Sequence, residues 1–103
     1  MSNLADVTAN FDEFTKNGVV VVDFWAARCG PCRMLAPIIE DVAAKLTTVS
    51  FGKVDVDNAP ELARKFQIMY IPNVCIFKDG QLVDRIIGLC DEKELTDTIS
   101  KYL

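Results

Sequence analysis

Cys29 and Cys32 flank Gly30-Pro31 at the start of a helix-patterned segment, just downstream of the apolar run Val19-Val20-Val21-Val22. Two thiols placed this way suit redox chemistry. The first turn of a helix leaves backbone N–H groups without partners and carries the positive end of the helix dipole, and both stabilise a thiolate. The thiolate is the form of cysteine that attacks disulfides. The second thiol falls one turn on, on the same helix face, where it can close a ring with the first. The competing use is half of a zinc site, which needs a second pair of ligands. The chain has no histidine, and its other cysteines, Cys75 and Cys90, stand alone. Metal binding is therefore the weaker reading. The missing histidines also remove Cys–His and Ser–His nucleophile pairs, so any acid–base partner for the thiols is a carboxylate, a lysine or water.

The elements that must position these thiols are legible in the patterning. Residues 4–7 read as a short first strand. Thr8 reads as the N-cap of a helix with Phe11 and Phe14 on one face, ended by Asn17-Gly18. Residues 19–24 are β-rich and apolar on both faces until Asp23, the pattern of a central strand covered by helices. From Cys32 to Leu46, the residues Leu35, Ile38, Ile39, Val42 and Leu46 form a helical stripe, with Pro37 predicting a kink. Residues 48–55 form the next strand, and 59–66 a short helix with Pro60 in its first turn. Asn73–Lys78 and Gln81–Ile87 flank Asp79-Gly80, a two-residue hairpin signal. Asp91 caps a last helix, with Glu94 completing a capping box and Leu95, Ile99 and Leu103 on one face. The order β-α-β-α-β-α-β-β-α predicts an α/β fold. Two βα crossovers give its sheet a parallel portion, the hairpin adds antiparallel strands, and helices cover both faces.

Composition narrows the function. A length of 103 residues predicts one domain over 1–103, large enough for a core without staples. No apolar stretch approaches the ~20 residues that cross a bilayer. Met1-Ser2-Asn3-Leu4-Ala5-Asp6 has no basic or apolar leader region, so a cytoplasmic protein without membrane attachment is expected. In that setting four cysteines point to catalysis or metal before a disulfide framework. Net charge is −4 with no basic tract, which leaves nucleic acid without an electrostatic footprint.

Three features near the dithiol add chemistry, each with a plainer alternative. Asp23 is an acid in an apolar strand, costly there unless partnered or neutral. It reads either as an exposed strand position or as a buried proton acceptor under the second thiol, with its pKa raised by desolvation. Lys53 is the one charged residue in 48–54 and could share that pocket. Ile71-Pro72, between a helix end and a strand start, could hold a cis bond or an ordinary trans proline. Trp25 could be core and Arg28 a solvated charge; beside a thiol, Arg28 would favour the thiolate and attract acidic partners.

Taken together, these residues resemble the thioredoxin family. The resemblance rests on Val21-Val22-Asp23-Phe24-Trp25-Ala26, Cys29-Gly30-Pro31-Cys32, Ala36-Pro37, Asp55-Val56-Asp57, Ile71-Pro72, Phe77-Lys78-Asp79-Gly80 and Gly88, in the family's order and spacing. It covers nearly the whole chain, the first strand being the weakest part. It implies a thioredoxin fold: a five-stranded mixed sheet flanked by four helices, with a cis bond before Pro72 packed against the dithiol. It further implies that Cys29 is the exposed nucleophile and Cys32 the buried resolving thiol, with Asp23 and Lys53 handling protons. Trp25, Arg28, Gly30, Pro31, Ile71, Pro72 and Gly88 would line a shallow groove for an extended substrate segment. The implied activity is reduction of protein disulfides by a monomer that binds no cofactor and is recharged by a thioredoxin reductase.

The chain departs from the family in particular places. Arg28 replaces a common Trp before the first Cys, Tyr70 stands where the family commonly has a smaller or more flexible residue and would narrow the implied groove, and Asn73 replaces the usual Thr after Pro72. Cys75 is expected to be an inert core residue. Cys90, just before the Asp91 cap, is a candidate for redox regulation. Two other functions stay open: a disulfide oxidase or isomerase, toward which Arg28 pushes by stabilising the reduced form, and a binding subunit or clamp without turnover. Retention of Cys29, Cys32, Asp23 and Pro72 argues against the clamp.

Overall fold

The computed structural model describes residues 3–103. Their elements are β1 (Ala5–Asp6), α1 (Phe11–Thr15), β2 (Val19–Trp25), α2 (Gly30–Lys45), β3 (Ser50–Asp55), α3 (Pro60–Lys65), β4 (Asn73–Lys78), β5 (Gln81–Ile87) and α4 (Glu92–Ser100). The strands form one sheet in the order β1-β3-β2-β4-β5. β3 runs parallel to β1 and β2, and β4 runs antiparallel to β2 and β5. The mixed five-stranded sheet with four helices expected from the sequence is the one that forms.

β2 lies at the centre because it can be buried on both faces. Val20, Val21, Val22 and Phe24 are fully buried, and burying each such side chain contributes roughly 1.5–3 kcal/mol. Alternate residues of the strand enter different layers. Val20, Val22 and Phe24 pack with Phe11 of α1, Cys75 and Phe77 of β4, and the partly buried Phe66 after α3. Val21 packs on the other face with Leu35, Ile39 and Val42 of α2 and Leu95 and Ile99 of α4. The aromatic layer is tight: Phe11 and Phe66 each meet Phe77 edge-on, with centroids 5.5 and 5.3 Å away.

Turn and cap chemistry follow the sequence at two places. Asp79 and Gly80 both have positive φ (50° and 86°), the backbone a primed two-residue hairpin requires. The Asp91 carboxylate accepts from the Glu94 N–H at 2.8 Å and caps α4. Elsewhere the structure corrects the expectation. Thr8 does not cap α1; Asn10 holds the cap position without a side-chain bond. The Thr8 N–H instead donates to the Asp6 carboxylate at 2.9 Å, a local turn that delays the helix. Leu103 lies past the end of α4 and is 61% exposed, so it adds nothing to the core. β1 is shorter than expected, pairing through Ala5 and Asp6 with Gly52 and Lys53.

Gly52, which the sequence patterning did not single out, sets how closely β3 meets the layer beside it. A Cβ there would lie 2.8 Å from Val7 Cγ1 and 3.0 Å from Phe14 Cε2. Val7 is buried and β-branched, so it has little freedom to turn away. Gly52→Ala is expected to destabilise the fold by about 1–3 kcal/mol, read as a lower urea midpoint. An unchanged midpoint would show that Val7 and Phe14 yield freely.

Candidate functional site

Strand polarity gathers the site at one end of the sheet. β2 and β3 are parallel, so their C-terminal ends lie side by side, with Trp25 opposite Asp55. β4 is antiparallel to β2, so its first residue, Asn73, stands opposite Phe24 and Pro72 is carried to the same end. β5 returns there too, with Ile87 opposite Asn73. The next residue, Gly88, donates its N–H to the Pro72 carbonyl at 2.8 Å. Its φ of +88° is one that an L side chain rarely adopts.

Cys29 and Cys32 form a disulfide at this end, with Cα atoms 5.3 Å apart. Cys29 takes the N-cap position of α2 in extended backbone, and Pro31 enters the first turn, where its missing donor and fixed φ are tolerated. The Cys32 N–H donates to Cys29 Sγ at 3.2 Å. Once the bond is reduced, that N–H and the helix dipole favour the Cys29 thiolate. The sulfurs differ in access: Cys29 is 8% exposed and Cys32 1%. Both pack with Ala26 and with the partly buried Trp25, Val56 and Ile71. The Ile71–Pro72 peptide is cis, and the Ile71 carbonyl oxygen lies 3.8 Å from Cys29 Sγ.

Asp23 is buried, at 3% exposure, and its Oδ1 has no hydrogen-bond partner. Alternation puts it on the face of β2 occupied by Val21, the face that α2 covers. Burial pushes its pKa from 3.8 up to about 7, and the Lys53 charge opposes part of the rise. Lys53 is its register partner on β3. The Lys53 ammonium also stands over the Trp25 ring, 5.2 Å from the centroid. The exposed-strand alternative for Asp23 is thereby excluded.

Arg28 differs from expectation. Its Nε and Nη2 donate to the two carboxylate oxygens of Asp57 at 3.0 and 3.1 Å. The pair is exposed, and its two charges compensate one another. Arg28 is thus neither a free solvated charge nor an unopposed cation on the thiols. Asp57 is a participant that sequence reasoning left without a role; its partner is too distant along the chain for spacing to indicate. Arg33 was also missed: its Nη1 donates to the Ala27 carbonyl at 2.8 Å, folding the side chain back over the dithiol loop.

The other departures fall in different places. Tyr70 is 70% exposed, and Asn73 is buried with its Oδ1 accepting from Cys75 Sγ at 3.4 Å. Cys75 is fully buried, and desolvation pushes its thiol up to about 12. Cys90 is a buried thiol rather than an exposed one. It is buried in the α2–α4 layer, and burial, then Glu94 and Asp91, raise its pKa to about 11. Among the described residues, no cluster of three His, Cys, Asp or Glu could hold a metal ion, and no helix is long and apolar enough to cross a membrane.

A dithiol–disulfide at a helix start, facing a cis-proline loop, defines a thiol-disulfide oxidoreductase, and the chain belongs to the thioredoxin family. The family model described as Thioredoxin matches residues 3–101. A thioredoxin of Chlamydia pneumoniae is 46% identical over 93 residues, covering 90% of this chain and 91% of its own. A thioredoxin of Staphylococcus haemolyticus is 43% identical over 96 residues, 92% of each. A solved Plasmodium falciparum thioredoxin superposes with a TM-score of 0.88 at 37% identity, covering 97% of this chain and all (100%) of its own. The chain is accordingly a protein-disulfide oxidoreductase that acts by dithiol-disulfide exchange.

The buried carboxyl has a consequence for stability. The folded state holds the Asp23 proton more tightly than the unfolded chain between pH 3.8 and about 7. Stability therefore falls as pH rises through that window, and the penalty is complete above it. Asp23→Asn is expected to stabilise the oxidised protein at pH 8 by on the order of a few kcal/mol, with no gain near pH 4. Thermal unfolding at the two pH values reads this out. A gain independent of pH would assign the effect to packing.

Proposed function

We propose that this protein is a single-domain, monomeric cytoplasmic reductant of protein disulfides, with Cys29 as nucleophile, Cys32 as resolving thiol and a thioredoxin reductase as its electron source. The carrying observation is the asymmetry of the pair: the Cys29 sulfur accepts the helix N–H of Cys32, while Cys32 is the more deeply buried. The two buried, unpaired thiols of Cys75 and Cys90 fit a reducing compartment.

In the reading proposed, the Cys29 thiolate attacks one sulfur of a substrate disulfide and expels the other as a thiolate. Asp23 takes the proton of Cys32, with Lys53 limiting how far burial raises the carboxyl. The Cys32 thiolate then attacks Cys29 Sγ, releases the second substrate sulfur as a thiolate and closes the Cys29–Cys32 bond. Two electrons pass to the substrate, and the reductase restores the dithiol. Trp25, Arg28, Gly30, Pro31, Ile71, Pro72 and Gly88 form the substrate groove, where the Ile71 backbone beside Cys29 can pair with an extended segment. The oxidase alternative loses the particular support drawn from Arg28, because Asp57 compensates that charge.

Cys29→Ser is expected to abolish insulin-disulfide reduction, and Cys32→Ser to accumulate mixed disulfides visible on non-reducing gels. Turnover by Cys29→Ser would refute the assignment. In the wild type, resolution of a mixed disulfide should accelerate as pH rises through about 7, where Asp23 ionises. Asp23→Asn should lose that inflection and slow resolution about 10²-fold at pH 8. Coincident pH–rate profiles for the two proteins would remove Asp23 from the mechanism.

A further inference from the structure

Charge at the dithiol is distributed unevenly. Arg28 spends a bidentate pair of donors on Asp57, and the carboxylate compensates its charge. Arg33 has no such compensation. It sits in the exposed first turn of α2 and is held by the backbone carbonyl of Ala27, a neutral acceptor. Its Nη2 would lie 3.8 Å from a Cβ on Gly30, so the guanidinium rests against the loop that carries both sulfurs. No carboxylate among the described residues forms an ion pair with it, and the first turn of α2 carries no acid. A cation at a helix N-terminus opposes the dipole. Local helix stability therefore does not explain this placement, whereas an anion arriving from outside would satisfy both charges.

We infer that Arg33 is a specificity-determining residue that selects substrate disulfides with an acidic side chain next to the attacked cysteine. The Ala27 carbonyl fixes the guanidinium before substrate arrives, which reduces the ordering lost on binding. The remaining N–H groups of the fork can then meet a carboxylate of a segment lying across Gly30-Pro31. Asp57 is held by Arg28, whereas Asp55 accepts from the neutral Asp57 N–H and Asn58 Nδ2 and so keeps its negative charge, which holds the expected preference to a modest size. The inference rests on the reading of Cys29 as the attacking thiol.

The test compares two synthetic peptide disulfides, identical except for Glu or Lys beside each cysteine, as oxidants of the reduced full chain in stopped flow. The wild type should react about two- to fivefold faster with the Glu peptide at about 20 mM salt. The preference should shrink at about 500 mM salt. Arg33→Gln should remove it and Arg33→Lys should keep most of it. The double variant Lys93→Gln with Asp97→Asn, which removes a compensated pair outside the groove, should retain it. A Glu-to-Lys ratio that survives Arg33→Gln overturns the inference, as does a ratio lost only in the double variant. Equal wild-type rates for both peptides overturn the inference alone, whereas reaction with neither overturns the reductase reading beneath it.

Discussion

The two-sided pairing of β2 is the constraint on which the rest depends. A strand paired in parallel on one side and antiparallel on the other joins two different chain directions at its C-terminal end. The end of β3, the start of β4 and the N-terminus of α2 must then meet within a few residues of Trp25. The Val56 N–H completes the junction by donating to the Trp25 carbonyl at 2.9 Å. The dithiol, the cis-proline loop and the Asp57 turn share a surface because their elements end there, although the sequence spreads them over half the chain.

The same burial that places β2 also sets the electrostatics. A carboxyl on a strand covered by helices loses its hydration, and for Asp23 this outweighs the opposing charge of Lys53. The result is a group that changes protonation near neutrality behind a helix whose first turn holds two sulfurs. Desolvation acts on the other thiols in the reverse functional sense. Cys75 and Cys90 are raised to about 12 and 11, away from reactivity, whereas Cys29 has a helix N–H aimed at its sulfur. One chain thus holds four cysteines with two chemistries, separated by backbone position rather than by residue type.

Much of the fold was legible because its signals are local. Hydrophobic period, Asp79-Gly80 and the Asp91 cap act over a few residues, and the strands and helices fell close to where they were expected. The misses share a cause. Thr8 has the side chain of a cap, but the helix begins only at Phe11, beyond Asn10, and the Thr8 hydroxyl finds no partner. Leu103 continues a helical stripe beyond the point where the helix stops. Gly52 looks unremarkable in a strand until Val7 and Phe14 are brought against it.

Around the dithiol the division is sharper. The i, i+3 spacing of Cys29 and Cys32 and the apolar strand before them determined by themselves that two thiols would share a helix face at its positive end. That follows from helix geometry and needs no partner. Tertiary structure alone decided the charge state of their surroundings: Arg28 is compensated by a carboxylate 29 residues away, while Arg33 keeps its charge on a neutral carbonyl. It also decided that Asp23 and Cys90 are buried. Spacing along a chain fixes local geometry, whereas hydration and ion pairing depend on what is near in space.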